Sequence, residues 1–204
     1  PPGGDVIGRR RLDTHFHGLT ALGIDIEINH TYHFSSTRLT GTEIVLDEAS
    51  VTATENILMA ATLAEGETII YNAACEPHVQ DLANLLNAMG ASVSGIGTNR
   101  IHVQGVPSLH GTTHRVQPDF IEIGSFIAAA VATGGALTIP HAGDPLVLNI
   151  MQRTYARLCV QWRVDDAGTL HLPQQIDRTI QGDIGNDTPK IEDGIWPAFP
   201  SDLM

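Results

Sequence analysis

Lysine is nearly missing from this sequence. Lys190 is the only one, and basic residues number 11 against 23 acidic, giving a formal charge of −12. So acidic a chain argues against a nucleic-acid partner, because such binding needs a basic face to displace counterions. It leaves room for a small anionic substrate, since a few arginines dominate a cleft locally. Cysteine is scarce too: Cys75 and Cys159 form no CxxC spacing and no disulfide framework. A reducing cytoplasm is therefore the expected setting, with the two thiols as small buried side chains. No apolar run approaches the roughly 20 residues that span a bilayer, so no membrane partner is expected. Neither a signal peptide nor an initiator Met opens the chain, which starts Pro1-Pro2-Gly3-Gly4 and stops at Ser201-Asp202-Leu203-Met204. Both ends read as the inside of a longer protein.

What is present suits a folded protein. The 204 residues are 42% hydrophobic and 17% charged, enough for one ordinary domain or two small ones.

Self-comparison reveals a repeat. An offset of 69 residues carries Ile57-Leu58-Met59-Ala60-Ala61 onto Phe126-Ile127-Ala128-Ala129-Ala130. Without a gap, Ile70 then falls on Ile139, Met89 on Leu158 and Ile101-His102-Val103 on Leu170-His171-Leu172. An earlier partial copy fits at an offset of 67, with Leu22 and Gly23 on Met89 and Gly90. The spacing predicts a helix over 54–65, a short strand over 67–72, and a second helix opened by Pro77 and ended by Gly90. Strands over 92–94 and 100–104 follow, separated by Gly95-Ile96-Gly97, and a strand near 43–46 precedes the repeat. Aligning Asp119 with Asp202 lengthens the last spacing to 83, which places an inserted loop in or near 174–195.

Two seams between elements carry chemically odd residues. The first, Pro2-Gly3-Gly4-Asp5-Val6-Ile7-Gly8-Arg9-Arg10-Arg11, leads into a helix with the expected apolar stripe Leu12, Phe16, Leu19, Leu22. Its glycines permit unusual dihedrals, whereas three arginines oppose the positive partial charge of a helix N-terminus. Such a cluster either holds a phosphate or carboxylate or is a solvated basic patch. The second seam is Asp47-Glu48-Ala49-Ser50-Val51-Thr52-Ala53-Thr54. Here Ser50, Thr52 or Thr54 serves as a helix cap, or the backbone N–H groups bind a diphosphate. Asp119 and Asp202 occupy the matching places in later copies, and Asp202 is either a cap or a base. His15 and His17, two apart on a helix, point to different faces, which is poor geometry for a metal; none is expected.

These stretches resemble the UDP-N-acetylglucosamine 1-carboxyvinyltransferase family. The segment from Pro2 to His15 is similar to its catalytic loop, and Glu48 to Ala61 to its sugar-nucleotide segment. The stretches 72–77 and 115–122 fit as well. The similarity runs from Pro2 to Asp202, weakest across 174–195, and covers about the middle half of a typical member. The resemblance implies a mixed α/β fold: an inside-out α/β prism of repeated βαβαββ units, helices in the centre, incomplete in this chain. Residues 1–116 would belong to the domain of the catalytic loop and UDP-sugar, and 117–204 to the second domain.

The implied reaction moves the enolpyruvyl group of phosphoenolpyruvate to the 3′-hydroxyl of UDP-N-acetylglucosamine and releases phosphate. It is the first committed step of peptidoglycan synthesis and needs no cofactor. Asp5 matches the loop position usually held by Cys, which delivers a proton to the methylene carbon. Asp202 matches the general base. Arg10 matches an arginine that binds phosphoenolpyruvate. Arg11, Leu12, Asp13, Thr14 and His15 match positions close to the nucleotide, and Ser50, Val51 and Thr52 the diphosphate stretch. Departures are Arg11 for a usual Pro, Thr52 for Gly, Phe120 for a frequent Arg, and Met204 for Gln.

Asp5 raises a question of protonation. An ordinary Asp, with a pKa of about 3.9, is protonated about once in a thousand at pH 7. Loop closure and a bound phosphate anion would have to raise that fraction. A carboxylate is also a poorer nucleophile than a thiolate, which predicts resistance to the epoxide fosfomycin, an alkylator of the usual Cys. The competing expectations are the sister enzyme acting on shikimate 3-phosphate and a non-catalytic scaffold or interaction fragment. Parts of the family's site lie outside this chain, so the fragment alone is expected to be inactive.

Overall fold

A computed structural model of the chain describes residues 11–175, 182, 185 and 190–204. Asp5, Arg9, Arg10 and most of the expected insertion lie outside the described residues. The chain divides into two compact units, Pro1–Arg115 and Val116–Met204.

The first unit opens with helix α1 (Asp13–Ala21) and a hairpin of β1 (Asp25–Ile28) and β2 (Tyr32–Ser35). β3 (Glu43–Val45), α2 (Val51–Ala61), β4 (Glu67–Tyr71), α3 (Pro77–Ala88), β5 (Ser92–Ser94) and β6 (Arg100–Gln104) follow. They form a four-stranded sheet ordered β3-β4-β6-β5, in which β3 and β4 are parallel and the other pairs antiparallel. α2 and α3 cover one face. Ile44, Ile57, Leu58, Ile70, Ile101 and Val103 fill the core between them. Burying each of these side chains stabilises the fold by roughly 1.5–3 kcal/mol.

The second unit repeats the plan with α4 (Phe120–Thr133), β7 (Leu137–Ile139), α5 (Pro145–Arg157), β8 (Arg163–Val164) and β9 (Leu170–Leu172). Its sheet order is β7-β9-β8. The register is conserved between copies. Ile70 faces Ile101 and, 69 residues on, Ile139 faces Leu170. Ser94 faces His102 as Arg163 faces His171. A one-residue slip would turn every core side chain outward, so matching hydrophobic patterns enforce matching pairings.

Several local expectations need correction. The first long helix spans 51–61, not 54–65. Ser50 starts it, and Thr62 to Ala64 leave the helix in a turn before Gly66. Of the expected apolar stripe only Leu22 is buried; Leu12, Phe16 and Leu19 are half-buried, and Thr14 and Gly18 complete the face of α1 that packs inward. Gly18 is the reason. A Cβ there would overlap the δ-methyl of Ile57, so the absent side chain lets α1 lie directly against α2. Phe16 instead packs against Tyr32 and Phe34 of β2, with ring centroids 5.4 and 6.1 Å apart. Both cysteines are half-buried rather than buried. Cys159 follows α5 at the place Gly90 holds after α3, where the chain must turn through a positive φ.

Candidate functional site

The close approach of α1 and α2 brings the starts of both helices together, and with them most of the described residues that sequence singles out. Ser50 is the N-cap of α2: its Oγ accepts from the Ala53 N–H at 3.4 Å, and the Thr54 N–H reaches the Ser50 carbonyl at 3.0 Å. Helix geometry leaves the first N–H groups without intrahelical partners. Those of Val51 and Thr52 have no partner among the described residues. Thr54 is fully buried, donating to the Ser50 carbonyl at 2.7 Å and accepting from the Ala74 N–H at 3.0 Å. So of the three candidate caps Ser50 is the cap, Thr54 a buried strut, and Thr52 exposed.

α1 supplies the other half. Arg11 stands just before the helix, with Nε 2.9 Å from Asp13 and an Nη 3.3 Å from Asp47. Its charge is therefore balanced by two carboxylates, and an acidic residue in the first turn also suits the helix dipole. Thr14, 1% exposed, places its hydroxyl 2.8 Å from Asp47 and 3.0 Å from Glu48. The Thr14 hydroxyl holds the Asp47 carboxyl below the usual carboxylate range, with Arg11 adding to the effect. His15, half-buried, lies 3.3 Å from the Thr52 hydroxyl and 2.9 Å from the Asn56 amide. Burial lowers its pKa from 6.5, and the charge of Glu48 opposes that shift.

Asp47 and Asn56 lie in stretches that the sequence marks, but neither is singled out there as a site residue. Asn56 could have been found from its spacing, four residues after Thr52 and hence on the same helical face. Leu12 is half-buried at the N-cap of α1. Asp202 lies in the second unit, exposed, in the single 3-10 turn Ser201–Leu203, and caps no described helix. Asp119 caps α4, accepting from the Ile121 N–H at 2.8 Å, the counterpart of Ser50 in the next copy. Phe120 is buried edge-on to Trp196, with centroids 5.3 Å apart, so this departure belongs to the core of its unit. No group of residues able to hold a metal occurs among the described residues, nor any helix long and apolar enough to cross a membrane.

Comparison with known proteins finds relatives in sequence and in fold. The chain is 54% identical over 203 residues to a UDP-N-acetylglucosamine 1-carboxyvinyltransferase of Treponema pallidum, covering all of this chain and 47% of that protein. A protein of the same name from Borrelia garinii subsp. bavariensis is 50% identical over 204 residues, with the same coverage. The chain thus spans about half the length of these curated relatives. In structure it is similar to the enolpyruvyl transferase NikO from Streptomyces tendae, with a TM-score of 0.71 at 21% identity over 84% of this chain and 44% of that one. That likeness establishes a mixed α/β fold, part of the enolpyruvyl transferase architecture. A family model described as EPSP synthase (3-phosphoshikimate 1-carboxyvinyltransferase) matches residues 2–174. By that match, and with near relatives at half identity or better, the chain belongs to this enolpyruvyl transferase family.

Proposed function

We propose that the intact protein transfers the enolpyruvyl group of phosphoenolpyruvate to the 3′-hydroxyl of UDP-N-acetylglucosamine. The observation that carries this reading is the 54% identity across the whole chain to a relative named for that activity. The paired helix starts are compatible with it, since Val51 and Thr52 offer two N–H donors at the start of α2, suited to a diphosphate.

Electrostatics defines how such a site would work. Among the described residues at the helix starts, Arg11 is outweighed by Asp13, Asp47 and Glu48. An anion bound there depends on the backbone donors and on Arg9 and Arg10 arriving from the preceding segment. Arg10 would bind phosphoenolpyruvate, while Leu12, Asp13, Thr14 and His15 would lie along the nucleotide with Ser50, Val51 and Thr52. In the addition step the sugar oxygen bonds to C2 of phosphoenolpyruvate. Asp202 takes the hydroxyl proton, and Asp5 supplies a proton to the methylene carbon. Elimination then removes a proton from that carbon and expels phosphate, restoring the vinyl ether. The protein would work in the cytoplasm, with 1–116 and 117–204 belonging to different domains.

The test is phosphate release by the intact protein. Release with phosphoenolpyruvate and UDP-N-acetylglucosamine, but not with shikimate 3-phosphate as acceptor, is expected. The 204-residue chain alone should show none. No release from the intact protein with either acceptor would leave the scaffold reading standing.

A further inference from the structure

One face of α2 grips both ring nitrogens of His15. Thr52 and Asn56 lie one helical turn apart, so their side chains are neighbours on the helix surface. The Thr52 hydroxyl stands 3.3 Å from Nε2, and the Asn56 Nδ2 stands 2.9 Å from Nδ1. An amide NH2 only donates, so Nδ1 accepts and carries no proton. The single ring proton then sits on Nε2 and points at the Thr52 oxygen. Both α2 residues are exposed and contribute little to the core. Their placement therefore calls for an explanation other than packing.

We propose that Asn56 is a positioning residue for His15, fixing the tautomer and plane of its imidazole, with Thr52 as the second jaw of the clamp. The clamp holds the ring neutral and immobile near the start of α2, where the N–H groups of Val51 and Thr52 have no partner among the described residues. A ring held this way presents a fixed apolar face and one N–H donor of known direction, with little rotamer entropy left to lose when a ligand binds. This deepens the nucleotide reading above and rests on it. The charged group that acts on the ring is Glu48, just before α2. Glu48 favours the charged ring and burial the neutral one.

The charge state and the clamp are linked through Asn56. Protonating Nδ1 would set an N–H against the amide NH2, and only turning the amide over to present Oδ1 would relieve that. Replacing Asn56 by Asp removes the donor altogether and leaves only acceptors, so Asn56→Asp should move the ring proton to Nδ1.

The experiment is nitrogen NMR of the intact protein with ring-labelled histidine, His15 being assigned through His15→Gln. The unaltered protein should show an unprotonated Nδ1 and a protonated Nε2. N56D should reverse that pattern and raise the titration midpoint of His15 above that of the parent. Thr52→Val, which removes the oxygen at Nε2 and leaves Asn56, should keep Nδ1 unprotonated. An N56D protein whose His15 keeps the parent tautomer and midpoint overturns the clamp. In parallel, Asn56→Ala should raise the KM for UDP-N-acetylglucosamine roughly threefold to tenfold, the scale of one hydrogen bond, with kcat nearly unchanged. A tautomer that responds while this KM does not would uphold the clamp and refute the placement of nucleotide beside it.

Discussion

Asn72 and His141 stand 69 residues apart, and each holds its backbone in the left-handed region, at φ 56° and 54°. Neither is glycine, and both sit between a copy's first strand and its second helix, β4 and α3 in one case and β7 and α5 in the other. The duplication therefore reaches beyond side-chain pattern to individual torsions. A second such position follows the second helix: Gly23, Gly90 and Cys159 take φ of 94°, 97° and 59°. That regularity makes the local strain testable.

Cys159→Gly should stabilise the protein by about 1 kcal/mol, because a side chain in this region costs of order 1–3 kcal/mol. Gly90→Ala should do the reverse, more severely, since its new Cβ would also meet the His110 ring at 3.0 Å. Thermal unfolding of both variants measures the pair. A Cys159→Gly protein no more stable than the parent would contradict the strain argument.

Gly18→Ala tests the helix junction. The added methyl must displace Ile57, costing about 1–3 kcal/mol as overpacking does. Ile57→Val should destabilise alone yet recover part of the loss in the Gly18→Ala background. A double-mutant cycle with no coupling would mean the two helices do not depend on that contact.

The caps divide by role. Asp119→Ala and Ser50→Ala should each lower stability by about 1 kcal/mol. Only Ser50→Ala should also weaken nucleotide binding, as seen by calorimetry, because only α2 starts at the proposed site.

His15 makes a pH prediction. Its pKa in the folded protein lies below 6.5, so the folded state binds fewer protons than the unfolded state. The stability tied to the neutral ring is complete above the unfolded value and is lost as pH falls toward the folded one. His15→Gln, which does not titrate, should therefore gain on the parent in relative stability as the buffer moves from about pH 7 toward pH 5. Melting temperatures compared across that range measure it, and parallel curves would refute the shift.

Asp5 bears on inhibition. The intact protein should keep its activity in fosfomycin, with no covalent adduct by intact mass, while Asp5→Cys should become sensitive and gain the adduct. An adduct on Asp5 itself would refute the expectation.

Much of the fold was legible in the sequence, for identifiable reasons. The strands 92–94 and 100–104 stand between glycine turns and alternate in polarity, and Pro77 and Gly90 bracket α3. The start of α2 is less legible, since its first turn is polar and Ser50 is one cap candidate among three. The inner face of α1 was misread because Thr14 and Gly18 carry no hydrophobic signal. Their burial depends on partners 33 to 39 residues further along the chain, Asp47 and Glu48 for Thr14 and Ile57 for Gly18. The site was visible as two separate seams. Their union through Asp47, Thr14, His15 and Asn56 is a tertiary fact that spacing along the chain does not encode.

The buried Thr54 hydroxyl distinguishes the two copies. It ties the start of α2 to Ala74, while the equivalent residue 69 positions later is Ile123, which lies in hydrocarbon. One copy gives a core position to a polar brace between the start of α2 and the segment after β4, and the other keeps that position for cohesion. Substitution should accordingly be tolerated unequally by a scaffold that is otherwise duplicated: Ile123 should accept other aliphatic residues of similar volume, whereas Thr54 should resist even its near-isostere valine.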